Sequence, residues 1–88
     1  MPYTVIVQPA AERAIAKLSR KLQARVQAAL TRLQAEPRGP GTTKMAGELH
    51  PYRVRVGKYR VLFDVFDDTR RVIVWAVGPR EHVYDQIR

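Results

Sequence analysis

The 88-residue chain predicts a single α+β domain over residues 1–88, with the order β-α-α-β-β-β, a small and mainly antiparallel sheet, and a short C-terminal helical tail. Apolar residues alternate with period two near the N-terminus and recur at helical spacing over residues 11–33. They then alternate again in three runs separated by turn residues. Helices grouped together and followed by grouped strands make this an α+β order. A chain of this length buries roughly 60–65% of its unfolded surface, enough for one modest core.

Each element has its own signal. Residues 3–8 alternate Tyr3, Val5 and Val7 against Thr4, Ile6 and Gln8, a short strand. Pro9 ends it and suits the first turn of a helix, where a missing N–H costs nothing. Ala11, Ala14, Ile15 and Leu18 repeat at helical spacing. Ser19 is positioned to cap a second helix with the apolar stripe Leu22, Val26, Ala29, Leu30 and Leu33. Its other face carries Lys21, Gln23, Arg25, Gln27, Arg32 and Gln34, and the two helices form an αα-hairpin. The segment "EPRGPG", residues 36–41, ends the hairpin because Pro and Gly do not continue a helix. Residues 42–49 read as a loop. Strands follow near Tyr52–Val56, Tyr59–Phe66 and residues 71–77, with turns at Gly57-Lys58 and residues 67–70. The run "VIVWAV" is apolar on both sides, as expected of a central strand covered on both faces. After Gly78-Pro79, "REHVYDQIR" is too short for an independent helix but long enough for a docked turn or two.

Composition narrows the function. Sixteen Lys and Arg against eight acids give a net charge of +8, which suggests a polyanionic partner, although charge also serves solubility. Most of the cations are arginine, the better planar phosphate ligand, an excess that GC-rich coding would also produce. There is no cysteine, hence no disulfide or thiolate chemistry, which fits a reducing compartment. The N-terminus lacks a signal-peptide pattern, and no run approaches the roughly 18 apolar residues of a membrane span. A cytoplasmic protein without membrane association is expected. Two histidines and scattered acids give no metal-ligand spacing, and the glycines form neither a P-loop nor a dinucleotide fingerprint. No cofactor is expected.

The informative stretch is "YRVRVGKYRVLFDVF". A two-residue turn at Gly57-Lys58 pairs Val56 with Tyr59, Arg55 with Arg60 and Val54 with Val61. Arg53, Arg55 and Arg60 then share one sheet face, where opposed like charges destabilise. Asp64 has the parity of Arg60 and offsets only part of this charge. The arginines either splay into water or form a preformed anion site that gains when a phosphate arrives. Arg80, His82 and Tyr84 follow the last strand closely and supply candidate acid–base groups, although a terminal tyrosine is more often a packing residue. Cleavage of RNA is possible without a metal. The ribose 2′-OH attacks its own phosphate, given a base, an acid and cations for the developing charge.

On "PYTVIV", the αα-hairpin, "KMAGELHPYRVRVGKYRVLFDV" and "VIVWAVGPREHVYD", the chain resembles the RelE/ParE superfamily of toxins from type II toxin–antitoxin pairs. Leu49, Tyr52-Arg53-Val54-Arg55, Gly57 and Tyr59-Arg60-Val61 stand in the family register. The resemblance implies a small α+β sheet with the helical hairpin packed on one face. For the RelE-like branch it implies a ribosome-dependent mRNA endonuclease that inhibits translation. Arg60 and Arg80 are then expected to stabilise transition-state charge, with Tyr84 or His82 as the acid–base group. Arg53 and Arg55 would bind substrate phosphates, at positions where some RelE proteins carry lysine. Lys17, Lys21, Arg25 and Arg32 would contact ribosomal RNA, or simply form a solvated helix face. The implied partners are a cognate antitoxin, the ribosome and mRNA, with operator DNA reached by the toxin–antitoxin complex through the antitoxin. The alternatives are a ParE-like DNA gyrase inhibitor, which needs no nuclease chemistry, and a catalytically degenerate nucleic-acid-binding homologue.

Overall fold

The computed structural model describes residues 2–45, 47 and 52–79. The elements are β1 (Thr4–Val7), α1 (Pro9–Ala16), α2 (Arg20–Ala35), β2 (Thr42–Lys44), β3 (Tyr52–Val56), β4 (Tyr59–Phe66) and β5 (Arg71–Pro79). The strands form one sheet in the order β1-β5-β4-β3-β2. Only β1 and β5 run parallel; the other neighbours are antiparallel, as short hairpin connections require.

Both helices lie on one face of this sheet. Ala11 and Ile15 of α1 and Val26, Ala29, Leu30 and Leu33 of α2 pack on the inward residues of β3, β4 and β5 in one apolar cluster. The helical stripes expected from spacing supply this core, and β5 is an interior strand, between β1 and β4. Pro9 opens α1. Ser19 caps α2, its hydroxyl accepting from the Leu22 N–H at 3.2 Å. Gln23 joins the two helices: its side-chain amide donates to the carbonyls of Ile15, Ala16 and Leu18 at 3.1–3.2 Å. Those bonds serve the last carbonyls of α1 and of the link to α2, among which Ile15 also accepts from the Leu18 N–H.

Two boundaries differ from the sequence expectation. Thr42–Lys44 forms a strand where a loop was expected, pairing antiparallel with β3 as Thr42↔Val54, Thr43↔Arg53 and Lys44↔Tyr52. Three residues carry too little alternation to be seen in sequence. The strand forms because β3 offers it an edge. β5 also runs on through Gly78 and Pro79, paired with Arg60 and Tyr59, instead of ending at Val77. The expected tail beyond Pro79 lies outside the described residues. Among the described residues, no helix is long and apolar enough to cross a membrane.

The face of the sheet away from the helices positions the candidate site. β4 and β5 are interrupted by a bulge at Leu62/Phe63, which leaves Trp75 as an extra residue between Val74 and Ala76. Val74 and Val77 face the helices, whereas Leu62 and Ala76 are fully buried yet outside the helix-side cluster.

Candidate functional site

The β3–β4 hairpin has the register expected from its turn. Val56↔Tyr59, Arg55↔Arg60 and Val54↔Val61 are directly opposed. Gly57 has φ +58° while Lys58 stays at negative φ, a turn of the II′ kind that places glycine first and matches the strand twist. Val54, Val56 and Val61 are thereby buried beneath the helices, and Arg53, Arg55 and Arg60 share the opposite face.

These three arginines line a single cleft of about 230 Å³ with Gly41 and Thr43. Their environments differ. Arg55 is exposed, Arg53 is half-buried and Arg60 retains only 6% of its accessible surface. Arg60 lies opposite Gly78 on β5, a position without a side chain, so the sheet leaves room beside it. Asp64 lies two residues beyond Leu62 on the same face of β4, and its Oδ2 accepts the indole N–H of Trp75 at 2.7 Å. Gly41 and Thr43 form the wall that sequence reading missed. They reach the cleft because β2 pairs alongside Arg53. Three guanidiniums on one concave surface suit a phosphate better than a neutral ligand.

Other expected site residues fall elsewhere. Lys21, Arg25 and Arg32 are exposed on α2, and Lys17 is the C-cap residue of α1. They belong to the helical layer, on the other side of the sheet from the arginine cleft. Arg25 packs over the hairpin turn, where a Cβ on Gly57 would lie 3.2 Å from its Nη1. Arg32 borders an apolar groove of about 280 Å³ between α2 and β2. Lys17 and Arg13 border a groove of about 460 Å³ floored by Leu18, Tyr59 and Val77. Arg80, His82 and Tyr84 lie outside the described residues.

A polar clasp that sequence spacing does not reveal holds the opposite end of the sheet. Arg38, in the connection between α2 and β2, donates to both Asp67 oxygens at 2.9 Å and to the Tyr52 hydroxyl at 3.0 Å. Tyr3 donates to Asp67 at 2.6 Å. The Arg38 hydrogen bonds, with help from Tyr3, hold the Asp67 carboxyl down to about 2, and Asp67 in turn raises the Arg38 guanidinium. The clasp ties the segment leading into β2 to the β4–β5 turn, and so helps to fix the β2 wall of the cleft.

Comparison with known proteins agrees with this architecture. A family model described as the ParE toxin of the type II toxin–antitoxin system, parDE, matches residues 5–84. A chain of the toxin–antitoxin complex RelBE2 from Mycobacterium tuberculosis is 29% identical, with 91% of this chain and 100% of that chain covered and a TM-score of 0.79. A chain of the archaeal RelE–RelB complex from Pyrococcus horikoshii is 25% identical, with 91% and 97% covered and a TM-score of 0.77. A mutant of the E. coli toxin RelE in the free state, 24% identical, shares the fold over 98% of this chain and 94% of that one, with a TM-score of 0.82. No match was found among curated proteins.

Proposed function

The chain belongs to the ParE toxin family of type II toxin–antitoxin systems, within the ParE/RelE superfamily, and from that premise we propose that it is a ribosome-dependent mRNA endonuclease. The observation that carries this reading is the convergence of Arg53, Arg55 and Arg60 on one cleft. An arginine held 6% exposed beside two more accessible ones offers both a fixed charge for a transition state and ligands for flanking phosphates.

In this reading residues 1–88 form a single toxin domain acting on translated mRNA in the cytoplasm. The 2′-oxygen attacks the adjacent phosphorus and the bond to the 5′-oxygen breaks, leaving a 2′,3′-cyclic phosphate and a 5′-hydroxyl. Arg60 stabilises the negative charge that grows on the non-bridging oxygens, with Arg80 as its proposed partner. Tyr84 or His82 takes the 2′-OH proton or protonates the leaving oxygen. Arg53 and Arg55 hold the backbone on either side. A cognate antitoxin is the proposed protein partner, since the solved relatives include RelE–RelB complexes. A basic chain favours an acidic or amphipathic antitoxin segment.

The family model's own description, a ParE toxin, favours a second reading as a DNA gyrase inhibitor. Induction of the chain in a host separates the two. Codon-phased 5′ ends in translated messages support the nuclease. Gyrase-linked DNA breaks and altered plasmid supercoiling, with intact mRNA, overturn it in favour of the inhibitor.

A further inference from the structure

We infer that Trp75 forms a subsite for an unstacked RNA base beside the arginine cleft, an assignment that rests on the proposed nucleic-acid reading of that cleft. Residue parity places Trp75 on the face away from Val74 and the helices, the arginine face. Leu62 faces Ala76 while Phe63 faces Val74, so a bulge inserts Trp75 and turns Ala76 to that same face. Bulges of this kind are common next to functional sites.

Three observations define the subsite. The Trp75 indole N–H donates to Asp64 Oδ2 at 2.7 Å, and Asp64 shares its face with Arg60 and Leu62, which places the ring on the arginine side of the sheet. The acceptor is a carboxylate, so the bond is charge-assisted and fixes the ring's orientation. Leu62 and Ala76 are fully buried, whereas Trp75 is only partly buried and keeps some of its surface in solvent. Arg53 is paired with Leu62, and Leu62 with Ala76, in one row across β3, β4 and β5. Trp75 is therefore roughly 10 Å from the Arg53 strand, two strand spacings away. An RNA strand whose phosphates lie in the arginine cleft can direct a neighbouring base onto the indole. Stacking on aromatic rings is how single-stranded RNA gains affinity beyond its charge, with tolerance for sequence. An indole that served only to cover Leu62 would not require a charged acceptor to orient it.

The chain has one tryptophan, so its own emission reports this site alone. The test titrates the full chain with a 2′-O-methyl hexanucleotide, which resists cleavage, and with an abasic analogue carrying the same phosphates. Anisotropy of an end label measures binding. The subsite predicts quenching of Trp75 emission by the hexanucleotide and little quenching by the abasic strand at equal occupancy. Trp75→Leu should weaken the hexanucleotide roughly 10-fold and leave the abasic strand unchanged, with Trp75→Phe in between. Asp64→Asn, which keeps an oxygen acceptor, should preserve the quenching that Asp64→Ala reduces. Equal quenching by both strands, or binding of the hexanucleotide without quenching, overturns the subsite. So does absence of binding to either strand. Ribosome-dependent mRNA cleavage is scored separately: cleavage without base-dependent quenching removes the subsite and leaves the nuclease reading intact. Quenching without cleavage removes the nuclease and keeps the base subsite.

Discussion

Arg55 and Arg60 stand directly opposite each other across the β3–β4 hairpin, the first exposed and the second 6% exposed. Opposed like charges on one sheet face destabilise it. Arg55→Gln is therefore expected to leave the isolated chain equally stable, or to stabilise it by a few tenths of a kcal/mol, while reducing toxicity. Denaturant melts beside a growth assay check both halves. A variant that is clearly less stable and still fully toxic would show Arg55 to be a structural residue.

Arg60 should behave differently, because it is the buried member. Arg60→Ala is expected to slow mRNA cleavage by ~10²-fold or more with little change in ribosome binding, as for a group that acts on charge present only in the transition state. Its burial adds a stability loss of about 1–3 kcal/mol, so cleavage must be measured well below the melting temperature. Equal losses in cleavage and in ribosome binding would make Arg60 a docking residue.

The hairpin is legible in the sequence because a two-residue turn fixes register, and register fixes which residues share a face. Turn and alternation together suffice to put Arg53, Arg55 and Arg60 side by side. The helical stripes are legible for the related reason that α2 buries Val26, Ala29, Leu30 and Leu33 at helical spacing. What escapes depends on long-range pairing. β2 exists only because β3 presents an edge to it, so nothing local assigns Gly41 and Thr43 to the cleft. Plain alternation would turn Ala76 toward the helices, and the bulge that sets it on the same face as Trp75 leaves no mark in such a run. Arg38 meets Asp67 across 29 residues of chain, a contact that no local spacing encodes.

The Arg38–Asp67 contact makes a prediction about acid. Folding lowers the Asp67 pKa from 3.8 to about 2, chiefly through the hydrogen bonds from Arg38 and then Tyr3. The unfolded chain therefore binds that proton more tightly. The stabilising contribution is fully present above about 3.8, shrinks as the pH falls, and is lost through about 2. Asp67→Asn should accordingly melt slightly below the parent at pH 7, with the gap closing near pH 2. The pair is exposed, so the gap is small. A gap that stays constant across this range would place the clasp's effect outside the charge of Asp67.

The last prediction concerns Gly57, where two separate constraints meet. Its φ of +58° is a left-handed conformation that costs an ordinary residue about 1–2 kcal/mol. A Cβ there would also lie 3.2 Å from Arg25 Nη1, but that atom is the far end of a flexible side chain that can move aside. Conformation should therefore dominate. Gly57→Ala is expected to destabilise the chain by about 1–2 kcal/mol, and nearly the same loss should appear in an Arg25→Ala background, with coupling below about 0.5 kcal/mol. Gly57→Asn should lose less than Gly57→Ala, since asparagine tolerates positive φ. Denaturant unfolding of the four chains in the Gly57→Ala and Arg25→Ala cycle, with Gly57→Asn measured alongside, decides between the two constraints. If removing Arg25 restores most of the lost stability, the helix-to-turn contact, and not the backbone, is what requires glycine at the tip of the arginine hairpin.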